Sequence, residues 1–176
     1  MEDFKTMVSS PLYLEDVAIG SKFGSPTYKV GADDIVGFAA EFDPQVFHLD
    51  EEGAKETFFG QLVASGWHTA SITMRLLVLS DFNPAGGIVG AGVEEIRWVR
   101  PLVPGDALTL EITALESIPS QTNPDRGMIR LRVVTLNQRK QTVQVMVPKL
   151  VMQRRLEGEA LSGNDKTRAA IADPVL

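Results

Sequence analysis

Asp43 and His48 stand five residues apart in the stretch FAAEFDPQVFHLDEEGAKETFFGQLVASGWH, with Pro44 between them. A turn at Pro44 lets the carboxylate and the imidazole point into one cleft. Histidine is the side chain most easily poised near neutral pH, and a neighbouring carboxylate orients it or shares its proton-transfer work. Such a pair suits the movement of a water molecule onto an activated double bond. In isolation, Asp43 would equally serve to close a turn and His48 to pack against a neighbour.

The elements around the pair favour the chemical reading. Ile35, Phe38, Ala39 and Phe42 recur at helical spacing over residues 33–42, with Asp33 and Asp34 at the end that favours negative charge. Pro44 ends this helix by drawing Asp43 out of helical geometry. Asp50 reads as the N-cap of a short helix over 51–57. A longer helix is expected over 65–80, apolar nearly all round and therefore buried. Beyond residue 87 the period changes to two. Strands are expected over 87–99, 107–116, 128–137 and 142–153, with Leu108, Leu110, Ile112 and Ala114 alternating against Thr109, Glu111 and Thr113. Val143, Val145 and Val147 alternate likewise. Val103-Pro104-Gly105-Asp106 fits a tight turn, and Pro148 demands an edge or a bulge in its strand. A short strand is expected over 21–28, after an ordered N-terminal arm.

Composition sets the outer limits. The 176 residues suffice for one well-cored domain, taken as residues 1–155, with 156–176 as a flexible tail. The absence of cysteine excludes disulfides, thiolate metal sites and cysteine nucleophiles. A formal charge of −6 argues against nucleic acid as a partner. No apolar run is long enough to span a membrane, and the N-terminus has no secretory pattern, so a cytoplasmic protein is expected. One buried helix and about five strands imply an α+β hot-dog fold, a curved antiparallel sheet wrapped around a central helix. Its exposed edge calls for a homodimer or a dimer of dimers.

The stretch DPQVFHLDEEGAKETFFGQLVASGWH resembles the MaoC-like hydratases, the hot-dog group that contains (R)-specific enoyl-CoA hydratases. EEIRWVRPLVPGDALTLEITALE resembles the strand–turn–strand element of that family, and RGMIRLRVVTLNQRKQTVQVMV its closing hairpin, so that the likeness runs from about residue 12 to 154. The resemblance implies reversible hydration of a 2-enoyl thioester to a 3-hydroxyacyl thioester, with Asp43 and His48 as the catalytic pair. It places Gly66 where a backbone N–H holds the thioester oxygen, with Ser65 and Gln45 as further substrate-site residues. Gln45 and Val46 replace the usual Asn and Pro, and Ser65-Gly66 replaces the usual His-Gly. Gly66 also has an independent physical rationale, because the free N–H groups at a helix start favour a developing enolate oxygen. The resemblance implies no metal and no cofactor, coenzyme A being part of the substrate. The partner would be an acyl-CoA or acyl-carrier thioester.

Other residues bear on the same chemistry. His68 is expected in the core, bonded to a backbone carbonyl, and a metal site built from His48, Asp50 and His68 is a weak signal. Arg75, Arg97 and Arg100 suit the phosphates of a coenzyme A arm or lie on solvated faces. Trp98 reads as an alternating strand residue. Phe47, Phe58, Phe59 and Trp67 would limit acyl length if they line the cleft. A thioesterase and a non-catalytic acyl-thioester binder are the alternatives to a hydratase.

Overall fold

The computed structural model describes residues 10–155, and within them the change of period divides helices from sheet. Two short strands, β1 (Lys22–Gly24) and β2 (Tyr28–Lys29), precede the helices α1 (Ala32–Phe42), α2 (Val46–Leu49), α3 (Glu51–Ala54) and α4 (Gly66–Val78). The long strands β3 (Val89–Trp98), β4 (Ala107–Pro119), β5 (Arg126–Leu136) and β6 (Thr142–Gln153) complete the domain. They form an antiparallel sheet in the order β1-β4-β5-β6-β3, with β2 also paired to β4. This is the α+β hot-dog architecture expected from the sequence, a curved sheet holding a central helix. The tail expected over 156–176, and residues 1–9 of the expected N-terminal arm, lie outside the described residues. Among the described residues no helix is long and apolar enough to cross a membrane.

The core forms where the alternating strands meet α4. Leu108, Leu110, Ile112 and Ala114 of β4, and Ile129, Leu131 and Val133 of β5, are buried as their period predicts. They pack with Ile72, Leu76 and Leu77 of α4 in one cluster. Strand β6 departs in part from the expected face: Val143 joins the core cluster, but Val145 and Val147 do not. Gln144 donates to Thr73 of α4 (3.0 Å), and Met146, Leu150 and Met152 join the core on that side. Val145 and Val147 are shielded on the opposite face, because β6 lies inside the sheet between β5 and β3. Pro148 sits at an interruption, as a residue without an N–H must. It pairs with Val93 of β3 directly before a register shift.

Two expectations about helices need correction. Helix α3 covers only Glu51–Ala54, and three tighter i→i−3 bonds carry the chain on through Thr57. Helix α4, expected to be buried because it is apolar nearly all round, is buried on one side only. Trp67 (61%), Met74 (42%) and Val78 (59%) remain exposed. Strand β3 is the outer strand at its end of the sheet, and Val89 and Val93 are exposed on it.

Candidate active site

Every group in the candidate site is placed by a helix end or by a loop that the sheet holds. Asp43 is the C-cap of α1, where Pro44 keeps it out of helical geometry (φ −153°, ψ 68°) while its N–H still bonds the Ala39 carbonyl. Beyond the turn at Pro44, residues 46–49 make the short helix α2, which carries His48 into the interior. The segment before α4 is tied on both sides, by Val63 N–H to the Phe47 carbonyl (3.0 Å) and Ala64 N–H to the Leu102 carbonyl (2.8 Å). Ser65 then caps α4 by accepting the N–H of Trp67 (3.2 Å).

These constraints bring Asp43, His48, Gln45 and Ser65 into one hydrogen-bonded unit. The Ser65 hydroxyl donates to Asp43 Oδ2 (2.6 Å), and the Gln45 amide donates to Asp43 Oδ1 (2.7 Å). His48 Nε2 lies 3.3 Å from Asp43 Oδ2, with the imidazole buried and the carboxylate partly so. At the far side of the ring, His48 Nδ1 meets the Val63 carbonyl at 2.7 Å. A carbonyl only accepts, so Nδ1 carries the proton there and the lone pair of neutral His48 is on Nε2, facing Asp43. A ring held in this tautomer presents a base, and the adjoining carboxylate presents a second acceptor. A water seated between them would find two groups competing for its protons.

The electrostatics keep the two roles apart. The Ser65 hydrogen bond is the main influence holding Asp43 below the ordinary carboxylate range; partial burial opposes it, and the Gln45 hydrogen bond supports it, as does His48 whenever its ring is protonated. Asp43 is therefore an anion at neutral pH.

The unit opens on a cleft of about 400 Å³, which Gly66, Phe47, Phe59, Trp67, Trp98 and Arg100 help to line. Gly66 is the first residue of α4, where N–H groups have no partner within the helix. Its lack of a side chain also has a steric cause that the sequence did not disclose. A Cβ at Gly66 would lie 2.6–2.9 Å from three ring atoms of Trp98, whose indole rests on this point of the backbone. Trp98 is thus a wall of the site as well as a strand residue, and it stands edge-to-face with Trp67 at 5.5 Å.

Several candidates fall elsewhere. Phe58 is 96% exposed and does not line the cleft, unlike Phe47, Phe59 and Trp67. His68 is buried as expected, but its Nδ1 has no hydrogen-bond partner among the described residues, and the ring stacks on Phe38 of α1 (4.7 Å, 7° between planes). Burial pushes its imidazole below the ordinary value, against the pull of the Asp34 charge. His48, Asp50 and His68 do not converge, and among the described residues no His, Asp and Glu side chains cluster as a metal site would require. Asp50 is the N-cap of α3, accepting the Glu52 N–H (3.0 Å). The two features that sequence reasoning missed, the Val63 carbonyl and Trp98, act through the backbone and through contact across the fold. Neither leaves a motif.

Comparison with known proteins agrees with the fold. The profile of the family described as "MaoC like domain" matches residues 16–136. The uncharacterized protein YdeM of Bacillus subtilis (strain 168) is 32% identical over 127 residues, which are 72% of this chain and 89% of YdeM. The crystal structure of the MaoC-like dehydratase from Rhodospirillum rubrum superposes with a TM-score of 0.79 at 52% identity, covering 82% of this chain and 99% of that one. The unliganded (R)-hydratase PhaJ1 from Pseudomonas aeruginosa shares the fold, with a TM-score of 0.65 at 23% identity over 89% of this chain and 97% of its own.

Proposed function

The chain belongs to the MaoC-like dehydratase family, and from that premise we propose that it reversibly hydrates 2-enoyl-CoA thioesters to 3-hydroxyacyl-CoA thioesters. The observation that carries the proposal is the fixed tautomer of His48. With Nδ1 committed to Val63, Nε2 is the base, 3.3 Å from a carboxylate that Ser65 and Gln45 hold in place. Water binds between Nε2 and Asp43, and Nε2 removes one of its protons as the oxygen bonds to the β-carbon. The electron pair of the double bond moves toward the thioester carbonyl, and the Gly66 N–H stabilises the resulting enolate oxygen. The proton on Nε2 then passes to the α-carbon as the enolate collapses. Asp43 stabilises the imidazolium in between, a task that needs the anion its hydrogen bonds preserve.

Adding water to a double bond exchanges no electrons, so this scheme calls for no redox cofactor, and with Nε2 activating the water and the Gly66 N–H polarising the thioester it assigns no step to a metal. Coenzyme A is the handle of the substrate. The reading includes a cytoplasmic location and a homodimer or dimer of dimers. Support for assembly comes from the exposed edge strand β3 and from the apolar side chains left uncovered on it and on α4.

The test is to follow loss of enoyl absorbance together with release of free thiol over short, medium and branched enoyl-CoAs. Hydration without thiol release is expected. Thiol release from saturated acyl-CoA would instead identify a thioesterase, and tight binding without turnover a non-catalytic binder.

A further inference from the structure

Three arginines were open as phosphate ligands, and the structure separates them. Arg97 is ion-paired with Glu95, and Arg75 lies over the Tyr28 ring, 5.7 Å from its centroid. Arg100 alone of the three lines the cleft. One of its N–H groups is anchored on the Thr142 carbonyl (2.9 Å), which leaves its exposed guanidinium positioned but without a carboxylate partner among the described residues. An anchored arginine with spare donors is pre-organised for phosphate oxygens.

The segment that supplies the acid–base pair to the cleft carries the reverse charge. Residues 32–60, which form α1–α3 and supply Asp43, Phe47 and His48 to the cleft, hold eight carboxylates and one ammonium, that of Lys55. Lys55 is itself paired with Glu52 (2.6 Å). This segment more than accounts for the formal −6 of the whole chain. A large acidic carrier domain delivering its acyl group on a phosphopantetheine arm would have to dock against that surface, where like charges repel. A free coenzyme A ester reaches the cleft as a thin chain and needs only a local cation.

Resting on the hydratase reading of the cleft, we infer that Arg100 binds the phosphate end of a free coenzyme A thioester and that the acidic face of α1–α3 turns acidic carrier domains away. The thioester lies at Gly66, the pantetheine arm leaves along the cleft past Trp98, and its phosphates meet Arg100 at the exit. Substrate choice is then written in charge outside the reacting centre.

Binding measured by calorimetry tests this without turnover, using butyryl-CoA, S-butyryl-pantetheine and a butyryl-loaded acidic carrier protein. Wild type should prefer butyryl-CoA to S-butyryl-pantetheine by about tenfold, the scale of one charge-assisted contact. Arg100→Ala should abolish that preference, and Arg100→Lys, which keeps the charge, should retain part of it. Glu51→Lys with Glu56→Lys, at two exposed positions of the acidic face, should strengthen binding of the loaded carrier. An undiminished preference in Arg100→Ala would overturn the inference. So would wild type binding the carrier as tightly as butyryl-CoA. Hydration of crotonyl-pantetheine is scored separately. Its absence alongside an intact, Arg100-dependent preference would sink the hydratase reading and leave this one standing.

Discussion

Removing the Ser65 hydroxyl should cost stability in two parts that pH can separate. The group caps α4 through the Trp67 N–H and donates to Asp43 Oδ2 at 2.6 Å. A lost N-cap costs about 1 kcal/mol. A lost hydrogen bond to a charged, partly buried carboxylate costs about 1.5–3 kcal/mol. Ser65→Ala should therefore be about 2.5–4 kcal/mol less stable at neutral pH, a fall in Tm of roughly 5–15 °C for a chain of this size. The two parts respond differently to acid. Ser65 is the main reason that Asp43 titrates below its ordinary range. A carboxyl depressed in the folded state contributes stability that is complete above its unfolded value, about 3.9, and disappears as pH falls through the lower folded value. The gap between wild type and Ser65→Ala should be widest at neutral pH and should narrow below about pH 3.9 toward the capping share. Urea unfolding of both proteins, repeated in steps from neutral to acid, reads this directly. A gap that stays constant with pH would refute the Ser65–Asp43 contact as the source of the shift.

Two further perturbations probe the walls of the site and its assembly. Gly66→Ala forces a methyl group against the Trp98 indole, at 2.6–2.9 Å. Steady-state kinetics should show a loss of about a hundredfold or more, the scale of a ~1 Å misplacement, and adding Trp98→Ala should recover part of it. Val93→Glu puts a charge on the exposed edge strand β3, and light scattering should show wild type as the proposed dimer and the variant shifted toward monomer, as charged edges favour.

Legibility in the sequence followed the range of the interactions. The strand β4 could be read because its alternation is local, and Asp43 left the helix because Pro44 sits beside it. The face of β6 was misjudged for a reason that period two cannot resolve. Both of its faces are shielded, and only the contact of Gln144 with Thr73, across the fold, says which one meets α4. The same limit shaped the site. Asp43 and His48 were visible as a pair, whereas the Ser65 hydroxyl that holds Asp43 comes from 22 residues further along. Sequence reasoning assigned Ser65 to the substrate site, and the structure gives it helix capping and carboxylate positioning. For His68, burial was legible but not the partner, because stacking on Phe38 replaces the expected carbonyl bond. Trp98 looked like an ordinary strand residue because its role depends on a glycine that sits on another element.

The central claim is that Nε2 of a tautomerically fixed His48, supported by anionic Asp43, moves the proton of the attacking water. The most direct measurement is the initial rate of enoyl-thioester hydration by folded wild type, His48→Gln and Asp43→Asn on one short enoyl-CoA. The account predicts measurable hydration by wild type and a fall of about a hundredfold or more in each variant, as removal of an acid–base group entails. Hydration that persists in either variant at the wild-type rate would contradict it.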